Sequence, residues 1–116
     1  MSTQNTQKIT AINRGWQFSR AYKSKKCFAS PFVVTYVVPR KSGSIKIGIT
    51  ASKKIGCAVE RNRARRIVKA AAMELLKDAD GSFDIVFVCR RAAVEQKSTR
   101  LIPVIEGQLR RAGVVQ

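Results

Sequence analysis

Histidine is absent from this 116-residue chain. That excludes Ser-His-Asp and Cys-His nucleophiles and every proton transfer that relies on an imidazole. Cysteine is scarce: Cys27, Cys57 and Cys89 form no CxxC pair, and with no His the ligand set of a structural zinc site is missing. The three thiols are expected to be reduced, partly buried fillers. Acidic residues number seven, at Glu60, Glu74, Asp78, Asp80, Asp84, Glu95 and Glu106. Only "DADGSFD" (Asp78–Asp84) clusters them, and a calcium loop counted from Asp78 needs Gly sixth and Glu twelfth, where Phe83 and Cys89 stand. These acids read as turn residues between a helix and a strand. Long hydrophobic runs are missing too. The longest apolar stretch, Pro31–Val38, is strand-sized, and the first 25 residues hold no signal-peptide pattern. The expectation is a cytoplasmic protein with no membrane partner, and any chemistry it serves must reside in something it binds.

What the chain has in excess is positive charge. Twenty-three Lys and Arg against seven acids leave a formal net charge of +16, a self-repulsion that points to a polyanionic partner. Nucleic acid comes first and an anionic membrane surface second. Hydrophobic residues still make up 45% of the chain and the mean hydropathy is −0.14, so a packed globule of one domain is expected rather than a disordered basic tail. Residues 1–8 (MSTQNTQK) read as a loose, disordered N-terminal tail and 9–116 as the domain.

Along the chain, a first helix is expected over Ala11–Ser24 with Thr10 as its N-cap. "KSKKCFAS" reads as a basic linker. "PFVVTYVVP" (Pro31–Pro39) and "IKIGITA" (Ile45–Ala51) read as strands pairing antiparallel through the turn "RKSGS". A helix follows over Ala58–Lys77. "DIVFVC" (Asp84–Cys89) is a wholly apolar strand that belongs in the middle of the sheet. The last helix covers Thr99–Ala112, and either starts near Pro103 or kinks there. The order is α-β-β-α-β-α, a single-domain α+β sandwich.

"KKIGCAVERNRARRIVKAAA" (Lys53–Ala72) holds seven of the basic residues and one acid, Glu60. At about 100° per residue, Arg61, Asn62, Arg65, Arg66 and Lys69 fall in one sector of roughly 140°, with Arg63 flanking it. Ala64, Ile67, Val68, Ala71, Ala72 and Leu75 are placed on the opposite side, to dock on the sheet. An outward row of guanidinium groups can grip phosphates in bidentate fashion and release counterions. Lys53 and Lys54 extend it to the strand-to-helix junction, where free N–H groups and the helix dipole favour an anion. A second surface is suggested by aromatics: Phe18 and Tyr22 share a helix face, and Phe32, Val34 and Tyr36 a strand face. Such a groove could cover unpaired bases, or the same residues could be ordinary core.

The stretch "GITASKKIGCAVERNRARRIVKAA" resembles the signature of the bacterial ribonuclease P protein subunit, in which a Gly-initiated strand leads to Lys-Lys, Ala-Val and Arg-Asn-Arg. Phe18 and Tyr22, "FVVTYVV" and "DIVFVC" are similar to that family's first helix and strands. The resemblance implies an α/β sandwich with a left-handed βαβ crossover. It also implies a protein subunit of a cytoplasmic ribonucleoprotein endonuclease that removes the 5′ leader of precursor tRNA. In that family the RNA subunit supplies the catalytic centre and, with the substrate, holds Mg²⁺. The protein would have no catalytic residue and no metal ligand, and one protein would join each RNA. Lys53, Lys54, Arg61, Asn62, Arg63, Arg65, Arg66 and Lys69 would contact RNA, and Phe18, Tyr22, Val34 and Tyr36 would line the leader cleft. A structural RNA-binding protein, such as a ribosomal protein, is the alternative with the same charge and size.

Overall fold

The computed structural model describes residues 9–24, 26–41, 43–77, 79 and 81–114; the tail expected over 1–8 lies outside them. The elements are β1 (Thr10–Ala11), α1 (Gly15–Tyr22), β2 (Cys27–Ala29), β3 (Val33–Pro39), β4 (Lys46–Thr50), α2 (Ala58–Leu76), β5 (Phe83–Cys89), a 3₁₀ turn (Arg91–Glu95) and α3 (Ser98–Ala112). One five-stranded sheet runs in the order β1-β4-β5-β3-β2. The expected α-β-β-α-β-α order holds, with short strands β1 and β2 added at the two edges.

β5 takes the centre, as its unbroken apolar run requires. It pairs parallel with β4 across the α2 crossover and antiparallel with β3. The expectation that β3 and β4 pair through a hairpin is therefore wrong. They run antiparallel, but β5 lies between them. The turn signal is local, whereas β5 is buried at Asp84–Phe87 and Cys89 and needs a strand on each edge and cover on each face.

Alternation along the strands builds two cores. Val33, Val37, Ile47, Ile85, Phe87 and Cys89 face α2 and α3, where they pack on Val68, Leu76, Leu101, Ile105 and Leu109. Val86 faces the other way with Ile12 and Ala21, and Phe18, Tyr36, Val38 and Val88 pack around them under α1. The polar Thr35 is fully buried, and its hydroxyl donates to Gln108 Oε1 at 2.7 Å. Gln108 Nε2 in turn donates to the carbonyls of Phe28 at 2.9 Å and Val33 at 3.1 Å. That network carries its own partners and ties α3 to β2 and β3.

Three local expectations need correction. Thr10 does not cap the first helix. The N–H groups of Thr10 and Ile12 donate to the carbonyls of Ile45 (3.2 Å) and Ile47 (2.8 Å) on the open edge of β4, so α1 starts only at Gly15. The "basic linker" contains β2, whose three residues pair with Val34–Tyr36. α3 begins at Ser98 and passes through Pro103. The proline ring faces outward there, and only the bond to the carbonyl four residues back is lost.

The cysteines also divide. Cys27 and Cys57 are exposed; Cys89 alone is buried. Burial pushes the Cys89 thiol from its ordinary 9.0 up to about 11, partly offset by the charge of Arg65. A neutral thiol is thus what the fold holds. Its contribution to stability is full below pH 9.0 and lost as pH rises through about 11. Iodoacetamide at pH 8 is expected to alkylate Cys27 and Cys57 in the folded protein and Cys89 only after unfolding. Equal native rates at all three, read by mass spectrometry, would contradict the burial of Cys89.

Candidate nucleic-acid interface

The turn between β4 and α2 is built to present lysines. Ile55 is buried and pins it to the core, while the N–H groups of Ile55 and Gly56 donate to the carbonyls of Ser52 (3.1 Å) and Lys53 (3.2 Å). Lys53 and Lys54 are left exposed. Gly56 has φ +146°, and a side chain there would meet Glu60 Oε1 at 2.1 Å. That positive φ is strained for a residue with a side chain, which favours glycine between this turn and the helix.

Glu60, the one acid inside the basic stretch, is committed elsewhere. Its Oε1 accepts the N–H of Cys57 at 3.2 Å, capping the helix, and its Oε2 takes Arg91 Nη1 at 2.8 Å. Arg91 Nη1 also donates to the carbonyl of Ile55. The Arg91 hydrogen bond, followed by the Cys57 N–H, holds the Glu60 carboxyl below its ordinary 4.5. It therefore stays ionised and stays on Arg91.

Three further carboxylates, those of Asp84, Glu74 and Glu106, pair with cations outside this basic group. Ion pairs join Asp84 to Arg20 (2.8 Å) and Arg40 (3.4 Å), Glu74 to Lys77 and Glu106 to Arg110. Among the described residues, none of Lys53, Lys54, Arg61, Arg63, Arg65, Arg66 and Lys69 has a carboxylate within ion-pair distance. Arg63, Arg66 and Lys69 are exposed, as is Asn62, whose Oδ1 accepts Arg65 Nη1 at 2.7 Å. Asn62 thus keeps its amide N–H groups for a partner while its oxygen aims Arg65.

Arg61 and Arg65 are half-buried, and Arg61 Nε is enclosed without a hydrogen-bond partner. Here the helical wheel misplaces the apolar side. Ala64, Val68, Ala71, Ala72 and Leu76 are the buried residues of α2. Their centre lies about 90° from the middle of the basic sector, not opposite it. Ile67 is only half-buried. Arg65, Arg66 and Lys69 therefore line the seam between α2 and the β4 edge with Ile47 and Ile49, and the stems of Arg61 and Arg65 are partly covered.

On the other sheet face, the Phe18 ring sits against Gly48 of β4: a Cβ on Gly48 would come within 2.6 Å of it. Tyr22 is 45% exposed and its ring meets that of Tyr36 edge-on, centroids 5.3 Å apart. Val34 and Tyr36 stand on the same face of β3, with Val38 and Val88 as neighbours that sequence reading did not single out. Burial, then Cys27, raises the Tyr36 phenol above its ordinary 10.0, so its hydroxyl remains a donor. Phe32 departs from this group. It precedes β3 and packs on the α2/α3 core, because the chain bends before Val33. Asp84, fully buried on this face, clamps α1 to the sheet through Arg20. The two surfaces meet at one end of the sheet, since Val34 and Thr50 are both register partners of Val88 and Thr50 leads directly into Lys53 and Lys54. No helix among the described residues is long and apolar enough to cross a membrane, and no three His, Cys, Asp or Glu side chains among them gather into a metal-binding group.

The family model described as Ribonuclease P matches residues 7–113. The chain belongs to the ribonuclease P protein family. The ribonuclease P protein component of a Thermoanaerobacter species is 38% identical over 88 residues, covering 76% of each chain. That of Chloroflexus aurantiacus is 34% identical over 102 residues, covering 87% of this chain and 76% of the relative. The solved Staphylococcus aureus RNase P protein superposes with a TM-score of 0.77 at 27% identity, covering 91% of this chain and 97% of that one. The Thermotoga maritima RNase P protein, at 21% identity and a TM-score of 0.70, shares the fold. The function is that of a ribonuclease P protein component, a subunit of a tRNA-processing ribonucleoprotein, and the ribosomal-protein alternative is not favoured.

Proposed function

We propose that α2 and the turn before it grip RNA while the α1–β3 side holds the precursor's leader. Lys53, Lys54, Arg61, Asn62, Arg63, Arg65, Arg66 and Lys69 contact the catalytic RNA or the substrate near the cleavage point. Phe18, Tyr22, Val34 and Tyr36 cover the unpaired 5′ leader. The catalytic centre and its Mg²⁺ are assigned to the RNA and substrate, and this chain's side chains neutralise phosphate and position the strand. One protein joins one RNA, in the cytoplasm, through the single domain of residues 9–116.

The observation that carries this reading is that, among the described residues, seven clustered cations have no carboxylate partner while Glu60, Glu74, Asp84 and Glu106 pair elsewhere. Each unpaired guanidinium keeps its full attraction for phosphate. The exposed Tyr22 against Tyr36 supplies the base-covering part. Aromatic contacts of this kind contribute roughly 1–3 kcal/mol per base. Tyr22→Ala in the reconstituted holoenzyme is expected to weaken leader-bearing precursor by about tenfold, with little change for mature tRNA. Equal weakening of both, or of neither, would contradict a leader role.

A further inference from the structure

A cavity of about 330 Å³ opens in the seam between α2 and the sheet edge, lined by Ala11, Ile47, Ile49, Arg65, Arg66 and Lys69. Its two halves differ in chemistry. Ala11 and Ile47 are register partners across β1 and β4, and Ile49 follows two residues on, so three apolar side chains share one pleat face. Arg65, Arg66 and Lys69 stand over that floor, with no described carboxylate in ion-pair range. The volume is at the lower end for ligand sites, about 300–1,000 Å³. An apolar slot accepts a flat uncharged ring, and the cations beside it accept phosphate; Arg planes also stack on bases.

We propose that this cavity takes one unstacked nucleotide of an RNA running along α2. Its base lies against Ile47 and Ile49, and its flanking phosphates lie on Arg65, Arg66 and Lys69. The inference rests on the reading of α2 as an RNA-contact face. It adds a base-burying site on the sheet face opposite Phe18 and Tyr36. Charge argues against the chain's own start as occupant, because residues 1–8 carry a lysine and no acid. The nucleotide could belong to the catalytic RNA or to the precursor, which present the same chemistry here.

Photocrosslinking in the reconstituted holoenzyme tests this, with 4-thiouridine placed in the catalytic RNA in one arm and in the precursor in the other. The expected result is a crosslinked peptide from residues 45–50 or 9–12 in one arm, which names the source. Ala11→Phe puts a ring on the cavity floor and leaves every cation in place. It is expected to cut that crosslink by about tenfold, with melting temperature and the salt dependence of RNA affinity unchanged. Crosslinks to α2 without any to these strands would overturn the cavity proposal and leave the α2 reading standing. Strand crosslinks that persist at full yield in Ala11→Phe would overturn it too. Crosslinks to neither α2 nor the strands would overturn both readings.

Discussion

Val68→Asp is expected to abolish the cooperative melting transition of the free protein. Val68 is fully buried on α2, among Ala64, Ala71 and Ala72, against the sheet and α3. A carboxylate there would be taken out of water into the apolar core, and burying a charge costs several kcal/mol. Domain stabilities are about 5–15 kcal/mol in total. Val68→Ala, which removes methyl groups without adding charge, should cost only about 1–3 kcal/mol and still melt cooperatively. Ile67→Asp, which the wheel alone places on the docking side, should be milder, because Ile67 is half-buried and its carboxylate can turn to solvent. A circular dichroism melt of Val68→Asp within a few degrees of wild type would mean that α2 docks differently.

The second large effect is on binding. Arg65→Ala combined with Arg66→Ala should lower the slope of log affinity for RNA against log salt by about two units. Charge-assisted contacts are worth roughly 1.5–3 kcal/mol each, so the loss in affinity should be about a hundredfold or more. Stability should barely move. Arg66 is exposed with no ion pair, and Arg65 loses a surface bond to Asn62 that contributes little to folding. An unchanged slope would show that these guanidinium groups do not meet phosphate. Lys substitutions at the same positions should restore much of the slope but less of the affinity, since an ammonium cannot make the bidentate bond.

Periodicity was sufficient for the large elements. The central place of "DIVFVC" follows from its unbroken apolar run, and the span of α2 and the clustering of its cations from a period of 3.6. The misses are equally physical. β1 and β2 are two and three residues long, too short for any period, and exist because edge carbonyls and N–H groups of β4 and β3 recruit them. The β3–β4 pairing went wrong because a local turn signal cannot report that a distant strand will insert between. The wheel misplaces the apolar side of α2 because Arg61 and Arg65, polar by type, are half-buried along their stems. For the same reason the cavity under Arg65 and Arg66 had no sequence signal: its floor comes from β1 and β4, and only the tertiary fold brings them beneath α2. The aromatic surface is readable at Phe18, Tyr22, Val34 and Tyr36, whereas Phe32 follows the bend at Pro31–Phe32 into the other core.

Family membership and these two surfaces make one physical account. On the proposed reading, a ribonuclease P protein of net charge +16 that sets the α2 cations against RNA is expected to lower the amount of divalent cation needed for the RNA to bind and cleave its substrate. The most direct measurement is removal of the leader from precursor tRNA by a bacterial catalytic RNA at low Mg²⁺, with wild-type protein and with Arg65→Ala/Arg66→Ala. The wild-type chain should restore cleavage that the RNA alone cannot sustain, and the double variant should require higher Mg²⁺ to reach the same rate. Identical Mg²⁺ requirements for the two proteins would contradict the account.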